Sequence, residues 1–347
     1  MKSRNFLMAL VLTPLAISFI VTILYITKPG LFYFRGWEFF DDTVLTGFGS
    51  KNYVFYETGD AARDYLIQRY GSLNNITINN LGNRMGCYDP KKNKAGILML
   101  GDSQLWGSGN SDENTLPQVL CRKYDANIYN GSRLHEMDLL RVTEYNFSKI
   151  IFTSAERVRL IRYCSILDGY EKAENHKLHE KDLFLVKQWS AFINRNFTHL
   201  SGYLKLRLSL LFSLTQPVQA PQEDLIIARH TSKASDIDED VRCAERLRNF
   251  FSTRNIETAF IYFPAQQTIL SKKLGINLDS ITYDFIPKAF EKMSKLKLKS
   301  IDTRACLVHD ADLLRVTQPH DTHLNEQGIR SMAQCIDRSD LKTFMLK

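Results

Sequence analysis

Two short segments, far apart in a chain of 347 residues, carry residue types that could do acyl chemistry: Gly101-Asp102-Ser103-Gln104 and Pro319-His320-Asp321-Thr322-His323-Leu324-Asn325. A serine hydroxyl is a weak nucleophile near neutral pH and needs an adjacent base, itself oriented by a third group. Ser103 as nucleophile, His323 as base and Asp321 as the orienting carboxylate would fill those roles. By itself the first segment is also what a strand-to-helix turn uses, since Asp and Ser are good helix N-caps. The coincidence of three roles in one chain order is what favours chemistry. Two familiar arrangements are excluded: Gly101-Asp102-Ser103-Gln104-Leu105 lacks the second glycine of Gly-x-Ser-x-Gly, and the serine precedes the histidine, the reverse of the chymotrypsin order. His309, Asp310, Asp312, His320, Asp321 and His323 offer an alternative as metal ligands. The last segment is explained without a metal, so neither metal nor cofactor is expected.

The elements that would position these residues read as alternating strands and helices. Ala95 to Leu100 is a short apolar run of the kind buried on both faces of a parallel sheet. Leu116 to Tyr124 has apolar residues at helical spacing, with Pro117 tolerated in the first turn. Asn127 to Tyr129 reads as a strand, Leu139 to Phe147 as a helix and Ile150 to Phe152 as a third strand. Farther on, the pattern gives a helix over Asp238 to Thr253, a strand over Thr258 to Phe263 stopped by Pro264, and helices over Tyr283 to Leu296 and Gly328 to Ile336. Such alternation implies a parallel sheet flanked by helices, with ligands beyond the carboxyl ends of the strands. Ser103 would stand there, its backbone N–H at a helix start aimed at a developing oxyanion. Residues 168–225 lack the alternation and read as a helical insertion over the sheet.

The amino-terminal part is of another kind. Phe6 to Thr27 is a run of 22 residues without charge, preceded by Lys2 and Arg4. As a helix it would be roughly 33 Å long, enough for a hydrocarbon core of about 30 Å. It exceeds a signal-peptide core and no small-x-small cleavage site precedes Lys28, so a signal anchor is expected over a cleaved leader. The basic residues before it put 1–5 in the cytoplasm. Residues 28–75, rich in aromatics, are read as a juxtamembrane stalk and 76–347 as the domain that carries the chemistry, outside the cytoplasm. Six cysteines fit an oxidising compartment, and no pairing among their fifteen connectivities is preferred by spacing. There is no Cys-x-x-Cys. The net charge of +7 is diffuse, and the run Lys292 to Lys299 reads as a solvated face without interleaved aromatics, so no nucleic acid partner is expected.

On these motifs the chain resembles the SGNH (GDSL-like) hydrolase superfamily. Gly101-Asp102-Ser103, with Gly107 following, matches the nucleophile block; Asn130-Gly131 matches the glycine block; Asp321-x-His323, with Asn325 and Gly328, matches the last block in the variant with acid and base two residues apart. That variant is similar to alginate-type O-acetyltransferases and to SGNH domains of membrane acyltransferases, and Asn79 to Arg84 resembles an Asn-x-x-Gly-x-Arg element that precedes the nucleophile in many exported members. The resemblance covers about residues 78–170 and 238–337. It implies an SGNH/flavodoxin-like three-layer α/β sandwich and an oxyanion hole formed by the Ser103 and Gly131 N–H groups. Asp102, Gln104, Glu156, Arg157, His320 and Asn325 are the polar neighbours expected to meet substrate. The usual third-block Asn is absent: after Phe152 the chain reads Thr153-Ser154-Ala155-Glu156-Arg157, where alginate-type relatives carry a Glu-Arg pair in a comparable place. Losing such an oxyanion donor costs about 100- to 1000-fold in rate. The function implied is that of a membrane-anchored extracytoplasmic esterase or O-acyltransferase for acetyl groups on an envelope or exported polysaccharide. A membrane acyl-donor protein would be its further partner. The alternatives are a lipolytic esterase or thioesterase, and a non-catalytic glycan-binding or assembly protein on the same fold.

Overall fold

The computed structural model describes residues 19–20, 54–57, 74–77, 84–89, 91, 96–132, 147–175, 230–308, 316–317 and 323–346. Its centre is a five-stranded parallel sheet in the order β4-β3-β5-β6-β7. The strands are β3 (Gly96–Leu100), β4 (Ile128–Gly131), β5 (Phe147–Ala155), β6 (Glu257–Phe263) and β7 (Ser300–Ile301). A separate antiparallel pair, β1 (Val54–Glu57) with β2 (Asn74–Thr77), stands within the segment read as a stalk and crosses its boundary at residue 75.

Both faces of the parallel sheet are covered, which is why β3 and the middles of β5 and β6 carry apolar residues on both sides rather than alternating. Every residue of β3 is buried. On one face Ile97, Met99, Ile128, Ile151 and Ile261 pack with α2 (Leu116–Tyr124), α9 (Glu326–Asp337) and α10 (Leu341–Leu346). On the other, Leu98, Leu100, Phe152 and Phe260 pack with α3 (Ile161–Asn175), α4 (Ala234–Ser252) and α7 (Phe285–Lys295). Phe152 and Phe260, neighbours in register, stack with centroids 5.6 Å apart. The buried carboxylate of Asp240 on α4 accepts from the N–H groups of Leu160 and Ile161 at the start of α3 and from the Tyr262 hydroxyl. It thereby satisfies helix N–H groups that have no intrahelical acceptor.

The six cysteines form three disulfides, Cys87–Cys121, Cys164–Cys243 and Cys306–Cys335. The first fastens α2 to the segment before β3, the second α3 to α4, and the third α8 (Thr303–Val308) to α9.

Several expected elements differ. Phe147, expected to end a helix, instead opens β5, which is nine residues long and not three. Its length follows from pairing with β6 from Lys149↔Glu257 to Ala155↔Phe263, a long-range register that local periodicity does not carry. Helices α5 (Gln266–Leu274) and α6 (Ser280–Tyr283) and the two-residue β7 were not anticipated. Of the expected anchor only Phe19 and Ile20 are described, and they are helical. Among the described residues no helix is long and apolar enough to cross a membrane. Residues 139–146 of the helix expected over Leu139 to Phe147, and most of the insertion at 168–225, lie outside the described residues; α3 enters the insertion as far as Asn175.

Candidate active site

Strand order reverses at β3, because β4 and β5, the next two strands in the chain, lie on opposite sides of it. A crevice forms beyond the carboxyl ends of strands at such a switch point. Ser103 stands there as the first residue of the short helix α1 (Ser103–Trp106), three residues beyond β3. Asp102 caps this helix and does more than cap: Oδ1 accepts from the Gln104 N–H at 2.9 Å, and Oδ2 accepts from the Ala155 N–H at 2.7 Å. One carboxylate thus joins the Ser103 turn to the end of β5. Gly101 is required where it stands, because a Cβ would lie 2.3 Å from that of Leu105 and 2.5 Å from the Thr153 hydroxyl. That hydroxyl donates to the Leu100 carbonyl at 3.0 Å, closing the same corner.

His323 arrives from the opposite end of the chain. Its Nε2 lies 2.7 Å from the Ser103 hydroxyl, across 220 residues of sequence. The histidine is 1% exposed while Ser103 is partly open to solvent, so the hydroxyl can meet a substrate and the imidazole stays shielded. The segment bearing His323 is fixed from both sides. Thr317 and Leu324 form an antiparallel bridge, the Asn325 N–H donates to the Val316 carbonyl at 3.1 Å, and Asn325 caps α9 by accepting from the Gly328 N–H at 3.0 Å. A side chain at Gly328 would put Cβ 2.2 Å from the Val316 carbonyl oxygen, so the close approach of this segment to α9 needs glycine. From the Ser103 side, Gln104 Oε1 accepts from the Leu324 N–H at 3.1 Å, and Asn110 Nδ2 donates to the Leu324 carbonyl at 2.8 Å.

The other expected site residues fall as follows. Asp321 and His320 lie outside the described residues, so of the alternative metal-ligand set only His323 is described. Gly131 ends β4 in register with Leu100, at the same end of the sheet as Ser103. Among the expected substrate contacts, Asp102, Gln104 and Asn325 make the internal bonds just given. Glu156 is fully buried: Oε2 accepts from the Ala265 N–H at 2.8 Å, and burial pushes its carboxyl up to about 7. Its neighbour Arg157 is exposed and adds its charge to the burial that pushes the His230 imidazole down to about 4.

Two residues of the site had no functional role in the sequence reading. Arg84 is 0% exposed; it pairs with Asp112 at 2.9 Å and donates to the carbonyls of Trp106, Gly107 and Asn110. Asn110, 4% exposed, sits in the loop so gathered. The signal for Arg84 was present as part of the Asn-x-x-Gly-x-Arg element. For Asn110 the cue was only a polar residue following Gly107-Ser108-Gly109.

A hydroxyl at the mouth of a parallel sheet, in hydrogen-bond contact with a shielded imidazole, can attack an acyl carbonyl and pass its proton to the ring. No family model matches the chain, and no curated protein matches it. Among solved structures it is similar to a protein from Desulfitobacterium hafniense DCB-2 described as lipolytic and of the G-D-S-L family, at 10% identity and a TM-score of 0.36 over 71% of this chain and 99% of that one.

Proposed function

We propose that the protein is a serine esterase or O-acyltransferase in which Ser103 is the nucleophile and His323 its base. The observation that carries this reading is the 2.7 Å contact between Ser103 Oγ and His323 Nε2 at the switch point of the sheet. In the proposed reaction Ser103 attacks an ester carbonyl as His323 takes its proton, and the imidazolium returns that proton to the leaving alcohol, giving an acyl-enzyme. Asp321, two residues before the base, is proposed to orient the imidazole, and the N–H groups of Ser103 and Gly131 to bind the oxyanion. Attack by water or by a sugar hydroxyl on the acyl-enzyme then distinguishes esterase from transferase.

The proposed setting is a membrane anchor over 6–27 with the catalytic domain outside the cytoplasm. Three disulfides support an oxidising compartment. The proposed substrate is an acetyl ester of an envelope or exported polysaccharide.

Treatment with a fluorophosphonate probe tests the core of the reading. Wild type is expected to be labelled, and Ser103→Ala and His323→Ala to lose at least about 1000-fold in labelling rate. A wild type that neither reacts with the probe nor turns over p-nitrophenyl acetate sinks it. Incubation with an acetylated glycan and a free acceptor then separates acetate release from transfer.

A further inference from the structure

Nothing obliges the nucleophile and base to stay together, since they come from segments 220 residues apart. The peptide units next to His323 show how they are held. Leu324 presents its N–H to Gln104 Oε1 and its carbonyl to Asn110 Nδ2, at 3.1 and 2.8 Å. One donor and one acceptor of the same residue are thus gripped by two amide side chains, both from the nucleophile's own segment. Gln104 is the residue after Ser103, in the same helix turn. Asn110 is held in turn by Arg84, whose guanidinium donates to the carbonyls of Trp106, Gly107 and Asn110 while paired with Asp112.

Buried amide side chains of this kind are costly unless bonded, so their placement is specific. A carboxamide is suited to the task because it carries both a donor and an acceptor without charge. A charged group beside the histidine would bias its protonation, whereas a neutral one sets position alone.

We propose that Asn110 and Gln104, with Arg84 shaping the loop behind Asn110, are positioning residues that set the distance between His323 and Ser103 through the Leu324 backbone. The proposal rests on the reading of His323 as the base. It predicts a defect in the chemical step rather than in substrate capture, because neither amide is needed to touch the acyl group.

The experiment uses the full chain, purified with detergent present, in five forms: wild type, Asn110→Ala, Gln104→Leu, Gln104→Glu and Asn114→Ala. Probe labelling and p-nitrophenyl acetate kinetics are measured on each, together with hydrogen exchange at Leu324. Asn110→Ala and Gln104→Leu should lower kcat by about 10- to 100-fold with KM within roughly twofold, as expected of a base displaced by a fraction of an ångström to an ångström. Both should expose the Leu324 region to faster exchange. Gln104→Glu keeps an acceptor for the Leu324 N–H and should recover most of the rate at alkaline pH, where the base is unprotonated despite the added charge. Asn114→Ala removes the Asn114–Glu326 bond, 3.2 Å, which joins the same two segments away from Leu324, and should leave kcat within about twofold.

Folded Asn110→Ala and Gln104→Leu proteins that react at the wild-type rate with Leu324 still protected overturn the clamp and leave the esterase reading intact. Should Asn110→Ala fail to fold, the contrast between Gln104→Leu and Gln104→Glu decides the matter alone. A wild type that does not react removes the esterase reading, and the catalytic meaning of the clamp with it.

Discussion

Glu156 is a carboxyl held well away from its ordinary range. Burial raises its carboxyl from 4.5 to about 7, because the ionised form must give up water for an interior in which the Ala265 N–H is its one backbone donor. The folded state therefore holds this proton more tightly than the unfolded chain. Its contribution to stability is fully present below pH 4.5 and is lost as pH rises through 7. The whole effect is about 3 kcal/mol, taking roughly 1.4 kcal/mol for each pH unit. Urea unfolding of Glu156→Gln should lack this pH dependence, so the variant gains on wild type between pH 5 and 8; parallel curves would disprove the assignment. A second prediction concerns Gly101. A methyl there meets Leu105 and the Thr153 hydroxyl at under 2.6 Å, so Gly101→Ala should destabilise by about 1–3 kcal/mol and move the nucleophile turn. Thermal unfolding measured beside probe labelling would show both effects. The pairing of Ser103 with His323 could be anticipated from sequence because a nucleophile and its base need particular residue types. Gln104, Asn325 and Glu156, expected to meet substrate, are bonded to the protein's own backbone, and a polar residue looks the same in sequence whether it faces outward or inward.

At the scale of elements, what could be read was what local pattern determines. Helix α2 has the limits expected of it, Leu116 and Tyr124, and β6 ends at Phe263, just before Pro264. Strand β5 was underestimated because the three residues at each of its ends are ordered by neighbouring strands, and β7 and α8 are too short to show a period. The junction of the His323 segment with α9 is where an element most directly sets the place of His323. Gly328→Ala drives a methyl into the Val316 carbonyl, 2.2 Å away, and must part the helix from the segment before it. The variant should lose about 1–3 kcal/mol of stability. Labelling of the remaining folded protein should fall by at least about tenfold, since small displacements of a base are costly. Asn325→Ala, which removes the cap, should cost about 1 kcal/mol by thermal unfolding.

Over the whole molecule, the disulfides stand in a particular relation to the site. Cys87–Cys121 closes a ring that contains Ser103, Gln104 and Asn110; Cys306–Cys335 closes another that contains His323, Leu324 and Gly328. The third bond, Cys164–Cys243, lies on the other face, between α3 and α4. Removing any one should cost about 2–5 kcal/mol. Paired Cys→Ser changes at 87 and 121, or at 306 and 335, should also slow probe labelling in folded protein, whereas the same change at 164 and 243 should affect stability alone. Equal labelling in all three would show that the rings do not bear on the site. Ser103 and His323 accordingly stand on two covalent hoops that meet, each carrying one partner. On the proposed reading, a chain with both bonds reduced should hold the two residues together less firmly, so oxidation becomes a condition for full reactivity.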